Sequence, residues 1–202
     1  MSTIFPPGLD TYRKAADLLA TGAIVVLPTE TVYGLAARAD ASQAVEKIYH
    51  LKKRPFDKPL PICLTRREQA WDYCQVNALA RSLMDKFWPG PLTLVLPKRR
   101  GAGSLALRLP DAAWVSAFAS AGFDRPLVLS SANISGTPPP LSVQNISPEI
   151  VAGLGMIIDG GLCPNTRAST ILRVSGRKLE LLRAGALPGE ALAPYSITGA
   201  GL

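Results

Sequence analysis

Residues 23–27 form an uninterrupted apolar run, Ala-Ile-Val-Val-Leu, that stops at Pro28. A strand with one face in water alternates apolar and polar residues, so a run without polar residues predicts a strand covered on both faces. Pro28 marks its end because proline has no N–H to donate to a neighbouring strand. Helices packed on both sides of a sheet provide such cover, and the run therefore predicts an α/β fold.

Helical patterns flank this strand. Asp10–Ala20 and Gln43–Lys53 place apolar residues three and four positions apart, and Ser42 stands where the second helix would be capped. Strands and helices alternate in the first half of the chain, whereas strands follow one another closely in the second half. We therefore expect an open, twisted, mixed sheet flanked by helices. Further strands are predicted at Leu60–Leu64, Leu92–Leu96, Leu105–Leu109, Leu127–Ser130, Met156–Asp159, Ser169–Val174 and Lys178–Arg183, and further helices at Arg67–Tyr73, Asn77–Phe87, Ala112–Ala121 and Ser147–Val151.

The length of the chain favours one domain. A chain of 202 residues fits one domain of ordinary size, and an apolar share of 48% is typical of a protein that buries a core. We expect a single domain over residues 1–202 with its core at residues 8–187, and we expect the tail Pro188–Leu202 to fray. The chain contains no apolar stretch of about 18 residues and no secretory leader pattern, so we expect a cytoplasmic protein without membrane contact.

A net charge of +7 favours anionic partners such as nucleotides or RNA. Several other kinds of site are not indicated. The three cysteines lack the spacing of a zinc or redox motif, and the single histidine, His50, cannot build a histidine metal site. Neither a P-loop nor a dinucleotide-binding glycine motif is present. We therefore expect no metal held by the protein itself.

Two short segments are the first candidates for a functional site. Residues 28–34 follow the apolar strand, and the hydroxyl of Thr31 could hold a small polar ligand there, or the threonines could satisfy only local backbone groups. In the second segment, Lys52, Arg54 and Lys58 can hold phosphate oxygens, or they form a solvated basic helix end. Together the segments indicate a site where an anionic nucleotide meets a small polar substrate.

Later segments also place polar groups at strand ends. Ser130–Gly136 follows a predicted strand with small hydroxyl and amide side chains, and its glycine lets the backbone approach a ligand. Ser169 begins a strand in a similar way. Arg108 and Arg183 stand within or at the end of otherwise apolar strands, where an arginine is usually paired or functional because its unpaired burial is costly. Ordinary strand-end turns and solvent-facing arginines are the alternatives.

In this order the segments resemble the YrdC/TsaC family, whose members make L-threonylcarbamoyladenylate. The resemblance spans about three-quarters of the chain and implies an open, twisted YrdC-like α/β sheet with a positively charged concave surface. The stretches that carry it are Pro28–Gly34 (PTETVYG), Lys52–Leu60 (KKRPFDKPL), Trp88–Thr93 (WPGPLT), Arg108 before Pro110, Ser131–Gly136 (SANISG), Asp159–Gly161 (DGG), Ser169–Ile171 (STI) and Leu182–Gly185 (LRAG).

The resemblance implies a nucleotidyltransferase that uses ATP as a substrate. L-threonine, bicarbonate and ATP would give threonylcarbamoyl-AMP and pyrophosphate, with Mg²⁺ carried on the phosphates. Separate threonylcarbamoyl-transferase proteins would then use the product to modify adenosine 37 of tRNA. No residue is implied as a general acid or base. The implied threonine contacts are Thr31, Arg108, Ser131 and Ser169, and the implied ATP contacts are Lys52, Arg54, Lys58, Asn133 and Arg183.

The chain departs from the family pattern at three places. Lys58 stands where asparagine is frequent. Pro138–Pro140 occupy a stretch that often carries a hydroxyl contact to the nucleotide, a contact that Ser142 could replace. Cys63 stands where a polar ligand contact can occur, and we assign it no role.

Two other functions stay open from the sequence alone. A non-enzymatic RNA-binding module in tRNA or ribosome maturation would use the same positive charge, and would bind RNA in a salt-sensitive way without ATP or threonine. A carbamoyl-transfer domain acting on carbamoyl phosphate would use the same fold, although such domains usually sit in a larger chain with zinc-finger-like cysteine clusters.

Overall fold

The computed structural model describes residues 3–199, and in this part of the chain strands and helices alternate before the strands begin to follow one another. The strands are β1 (Thr3–Phe5), β2 (Val25–Leu27), β3 (Gly34–Arg38), β4 (Ile62–Cys63), β5 (Leu92–Pro97), β6 (Ser104–Arg108), β7 (Leu127–Ser131), β8 (Met156–Ile158), β9 (Thr170–Ser175), β10 (Lys178–Arg183) and β11 (Ile197–Thr198). The helices are α1 (Leu9–Ala20), α2 (Ser42–Leu51), α3 (Gln69–Tyr73), α4 (Ala78–Phe87), α5 (Ala113–Ser120), α6 (Pro148–Val151) and α7 (Gly189–Leu192), and a 3₁₀ turn covers Val143–Asn145.

The strands form one sheet in the order β1-β8-β2-β3-β7-β4-β6-β5-β9-β10-β11. Parallel pairs, such as β5 with β9, occur beside antiparallel pairs, such as β2 with β3. The two ends of the order, β1 and β11, are not neighbours, so the sheet is open. The predicted open mixed sheet with flanking helices is therefore confirmed. Within residues 3–199, no helix has the length and apolar character needed to cross a bilayer.

The half of the sheet around β2 is buried on both faces. Val25 and Leu27 pack into a core with α1 and α5, whereas Val26 points the other way and packs with Ile48 of α2. Each of the three β2 side chains is fully buried. Burial of one such aliphatic side chain contributes about 1.5–3 kcal/mol. The expectation that this strand is covered on both faces is confirmed.

The half of the sheet around β5 is packed differently on its two faces. Leu92, Leu94 and Leu96 form a core with α4 on one face. Because side chains alternate along a strand, Thr93 lies on the opposite face. That opposite face, which Arg108 of β6 shares, is where a cavity opens. The packing therefore leaves polar strand residues available on one side of the sheet.

The end of α2 differs from the sequence-based prediction. The helix begins at Ser42 and ends at Leu51, so Ser42 lies inside it, Ala41 is its N-cap, and Lys52 and Lys53 follow it. Lys53 has a φ of 49°, in the left-handed region, which cannot continue an α-helix. Lys52 is therefore not part of the last helical turn, where the sequence predicted it.

Three strands and one helix were not predicted. The β3 sequence, Gly-Leu-Ala-Ala-Arg, contains residues of low strand propensity, and the short β1 lies before the first predicted helix. The other two elements, α7 and β11, lie in the tail for which fraying was expected. There Ile197 pairs with Leu179 of β10, so regular structure continues to residue 198, and residues 200–202 lie outside the described part. The extent of the domain, residues 1–202, stays a prediction.

Gly185 lies where two backbone segments pass very close to one another. A Cβ at this position would lie 2.4 Å from the carbonyl oxygen of Ala168 and equally close to the backbone of Ser169 and Thr170. We expect Gly185→Ala to lower the free energy of unfolding by about 2–3 kcal/mol, because the backbone must move to admit the methyl group. Urea unfolding measures this change.

The matched control is Gly189→Ala, where a Cβ meets no atom within 4 Å. We expect this control to change the free energy of unfolding by less than about 1 kcal/mol. Equal effects of the two substitutions would contradict the close approach at Gly185.

Candidate functional site

A cavity of about 210 Å³ opens on the polar face of the sheet. Ala106 and Arg108 of β6 line it, as do Leu129 and Ser131 of β7. Residues two apart in a strand point to the same side, so the cavity lies over the face of the sheet and not only at the strand ends where we expected ligands. The other hydroxyl and guanidinium side chains that line it belong to Thr29, Arg54, Thr93, Ser130, Ser169 and Arg183.

The turn that joins β2 to β3 is organised by the hydroxyl of Thr29. This oxygen accepts hydrogen bonds from the backbone N–H groups of Thr31 and Val32, each at 3.1 Å, and donates to the carbonyl oxygen of Val32 at 2.7 Å. The Thr31 hydroxyl lies 2.9 Å from the Thr29 hydroxyl, and Thr31 is fully buried. The sequence pointed to Thr31, but it is Thr29 that lines the cavity.

Lys52 is buried, which the sequence did not indicate. Its ammonium donates to the carbonyl oxygens of Ser131 and Asn133, the latter at 2.8 Å, and lies 3.4 Å from the Asn133 side-chain oxygen. Burial, with a smaller effect of the Arg54 charge, lowers the pKa of Lys52 to about 8. Lys52 thus connects the end of α2 to the loop after β7. It lies outside the cavity lining.

Arg54 and Lys58 belong to one compact turn after α2. The Arg54 Nε donates to the carbonyl oxygen of Lys58 at 2.8 Å, and its Nη2 donates to that of Pro59 at 3.1 Å. These bonds hold the guanidinium at the cavity wall. The Lys58 side chain is exposed and does not line the cavity.

Arg183 and Ser169 meet on the other side of the cavity. Both Nε and Nη2 of Arg183 donate to the carbonyl oxygen of Ser169, at 2.9 and 2.8 Å, and Nη2 also lies 3.1 Å from the Ser169 hydroxyl. That hydroxyl is 2.8 Å from the hydroxyl of Thr93. Burial and the nearby charge of Arg108 lower the pKa of Arg183. Thr93 is the last residue of the Trp88–Thr93 stretch, to which the sequence assigned no contact.

Arg108 lies between these groups. Its Nε donates to the carbonyl oxygen of Gly90 at 3.1 Å, and its Nη2 lies 2.7 Å from a carboxylate oxygen of Glu30. The Glu30 side chain was not predicted as part of a site, because nothing in the sequence brings residues 30 and 108 together. Beside Arg108, Cys63 also lines the cavity, and burial raises the pKa of its thiol to about 12. The thiol is therefore neutral near pH 7.

Asn133 lies in a neighbouring apolar hollow and not in the cavity. Its amide nitrogen donates to the carbonyl oxygens of Ile134 and Thr137, at 3.0 and 2.6 Å. Pro138–Pro140 line the same hollow.

The structure thus brings five predicted residues together at one cavity and places four others beside it. The five are Arg54, Arg108, Ser131, Ser169 and Arg183, and the four are Thr31, Lys52, Lys58 and Asn133.

The lowered pKa of Lys52 predicts how stability changes with pH. The folded chain loses this proton near pH 8 and the unfolded chain near 10.5. Between these values the unfolded state binds more protons, so Lys52 makes the free energy of unfolding rise with pH. From pH 8 to 10.5, wild type should gain about 2–3 kcal/mol relative to Lys52→Met in urea unfolding.

The matched control is Lys53→Met at the adjacent, solvent-exposed lysine, which pairs with Glu149 on the surface. Relative to wild type, this control should show no such pH-dependent change. A difference between wild type and Lys52→Met that is constant over this pH range would contradict the burial of the ammonium.

The chain is similar to known proteins over most of its length. The Sua5/YciO/YrdC family, described as telomere recombination, matches residues 17–185. A protein of Methanocaldococcus jannaschii is 36% identical over 181 residues, which cover 87% of this chain and 86% of that protein. The threonylcarbamoyl-AMP synthase of Pyrococcus abyssi is 38% identical over 189 residues, which cover 89% of this chain and 55% of that enzyme.

A solved structure agrees with this similarity. The crystal structure of Pyrococcus abyssi Sua5 complexed with L-threonine superposes with a TM-score of 0.87 at 32% sequence identity. The match covers 98% of this chain and 63% of that chain. The chain therefore spans little more than half of the length of the Pyrococcus abyssi synthase and under two-thirds of this solved chain.

Proposed function

Because the chain belongs to the Sua5/YciO/YrdC family, we propose that it is a nucleotidyltransferase that makes L-threonylcarbamoyl-AMP from L-threonine, bicarbonate and ATP. One observation carries the proposal: Arg54, Arg108 and Arg183 converge on a single cavity together with hydroxyl groups. Guanidinium groups bind carboxylate and phosphate oxygens with matched geometry. The cavity thus offers cationic anchors for an amino acid and for a nucleotide side by side. The threonine complex of the Pyrococcus abyssi protein supports the same substrate.

The two substrates would bind next to each other in the cavity. The threonine carboxylate would bind Arg108, and its hydroxyl and amine would lie near Ser131, Ser169 and the Thr29–Thr31 turn. The ATP phosphates would bind Arg54 and Arg183, with Lys58 at the outer rim. Lys52 and Asn133 would act by fixing the loop between the two substrates, since their polar groups are bound to that loop.

The proposed reaction depends mainly on how threonine, bicarbonate and ATP are positioned relative to one another. The threonine amine would bond to the carbon of bicarbonate, with loss of water, to give a carbamate. A carbamate oxygen would then bond to the α-phosphorus of ATP as the bond to the β-phosphate oxygen breaks and pyrophosphate leaves. Held geometry and charge neutralisation can supply most of the rate gain in such a displacement. The cations of the cavity fit this demand, and no general acid or base is assigned.

Mg²⁺ would enter with ATP as part of the substrate. The charged side chains that line the cavity are arginines, whereas Mg²⁺ prefers carboxylate and phosphate oxygens. Its ligands would therefore be mainly phosphate oxygens and water.

The product would then be used by separate proteins of the cytoplasm that modify adenosine 37 of tRNA. The net charge of +7 also favours direct binding of tRNA by this chain, which is a further expectation.

The direct test supplies the purified chain with ATP, Mg²⁺, labelled bicarbonate and L-threonine. We expect pyrophosphate and a labelled threonylcarbamoyl adenylate, and we expect neither when threonine is left out. An RNA-binding module would yield no adenylate but would bind RNA without ATP. A carbamoyl-transfer domain would instead react with carbamoyl phosphate.

Arg54→Ala should lower adenylate formation at least about tenfold, which is about 1.4 kcal/mol in the barrier. Lys58→Ala is expected to act in the same direction, because both cations face the phosphates in the proposed arrangement. Initial rates at varied ATP measure the effect. Arg81→Ala is the matched control, since Arg81 is an exposed arginine of α4 away from the cavity. Unchanged kinetics in both Arg54→Ala and Lys58→Ala would contradict the phosphate assignment.

Arg108→Lys and Thr31→Ala should raise the threonine concentration needed for half-maximal rate. Lysine retains the charge at position 108 but loses the planar fork that binds a carboxylate with two hydrogen bonds. At position 31, the substitution removes a hydroxyl that is bound to Thr29 at the cavity wall. Rates at varied threonine and fixed ATP measure this. A change confined to the ATP dependence would count against the assignment.

A further inference from the structure

Glu30 holds a buried carboxylate that the proposed reaction does not use. Its Oε1 lies 2.7 Å from Nη2 of Arg108, and the two side chains are only 10% and 12% exposed. Both carboxylate oxygens are buried, and neither has an aligned hydrogen bond within the part of the chain that the structure describes. An ionised carboxylate can accept about four hydrogen bonds. A buried carboxylate so poorly satisfied needs an explanation beyond stability.

The position of Arg108 explains why a carboxylate is buried at residue 30. Its Nε is bound to the carbonyl oxygen of Gly90, and its Nη2 faces Glu30. The hydrogen bond to Gly90 and the ion pair with Glu30 restrict how the guanidinium can turn, and neither partner engages Nη1. Arg108 also lines the cavity, and Glu30 does not. Glu30 therefore acts on any ligand of the cavity through Arg108 and through its own charge.

The ion pair of Glu30 with Arg108 changes the balance of charge around the cavity. The ionised side chains that line the cavity are those of Arg54, Arg108 and Arg183. Three cations by themselves would attract any small anion, including free phosphate or a plain carboxylic acid. The carboxylate of Glu30 stands directly behind one of them and cancels part of its attraction for an anion. A ligand that also carries a positive group is attracted by the same carboxylate.

We propose that Glu30 is a positioning residue that makes the cavity select a zwitterionic amino acid over a simple carboxylate. This inference rests on the proposed threonine site and adds the source of its selectivity. Glu30 orients Arg108 for a carboxylate, reduces the gain from a carboxylate alone, and favours the ammonium group that threonine carries beside it.

The test compares two ligands of nearly equal shape. One is L-threonine, and the other is the 2,3-dihydroxybutanoate of matching configuration, in which a hydroxyl replaces the ammonium group. Calorimetric titration of the full chain gives both dissociation constants without need of turnover. Wild type should prefer threonine. In Glu30→Gln, which keeps the shape and removes the charge, that preference should fall at least about tenfold.

Two further variants separate charge from structure. Glu30→Asp keeps the charge and should retain most of the preference for threonine. Glu149→Gln removes an exposed surface carboxylate that pairs with Lys53 and should change nothing. A merely structural role of Glu30 would weaken both ligands equally and leave their ratio unchanged, which would overturn the proposal.

The outcomes remain distinguishable from those for the proposed function. If wild type prefers threonine, Glu30→Gln loses that preference and no adenylate forms, the proposed reaction fails and the role of Glu30 stands. If adenylate forms and the ligand ratio is the same in Glu30→Gln as in wild type, the role of Glu30 fails alone. Should Glu30→Gln not fold, Glu30→Met removes the charge at similar side-chain length and keeps Arg108 in place, and retention of the full wild-type preference in that variant would overturn the proposal.

Discussion

The buried ammonium of Lys52 is bound to the carbonyl oxygens of Ser131, the last residue of β7, and of Asn133 in the loop that follows. Through it the end of α2 and the end of β7 keep a fixed relation, although about 80 residues separate them. Burial disfavours the charge, and the loop carbonyls favour it only in the folded arrangement. Arg54, two residues after Lys52, and Ser131, which accepts from Lys52, consequently line the same cavity.

The sheet supplies the rest of the cavity by leaving one face unlike the other. Where β5 and β6 lie, leucines fill the core on one side, and hydroxyl and guanidinium side chains occupy the other. Arg108 thereby leaves the bulk solvent without entering the core, whereas Arg183, at the end of β10, stays exposed at the cavity. Each is bound to a backbone carbonyl, of Gly90 and Ser169 respectively, so each is held in one orientation before a ligand arrives. Such preorganisation lowers the cost of ordering the site when a substrate binds.

Much of this arrangement could be predicted from the sequence. The apolar run at residues 23–27 predicted a strand covered on both faces, and arginines at the ends of apolar strands pointed to Arg108 and Arg183. The burial of Lys52 could not be predicted, because lysine is almost always exposed and only the tertiary contact with the loop shows otherwise. Thr29 lines the cavity in place of the predicted Thr31 because of hydrogen bonds within one turn, which the sequence does not show. The contact of Glu30 with Arg108 depends on the order of the strands in the sheet, which no local pattern encodes.

The central claim is that one cavity holds both substrates. A crystal structure of the chain with L-threonine and an ATP analogue that cannot be cleaved between its α- and β-phosphates tests it most directly. Our account predicts the threonine carboxylate on Arg108 and the phosphates along Arg54 and Arg183, with the amine of threonine turned toward the α-phosphate. Either ligand bound away from these arginines, or the two bound too far apart to share a carbamate, would contradict it.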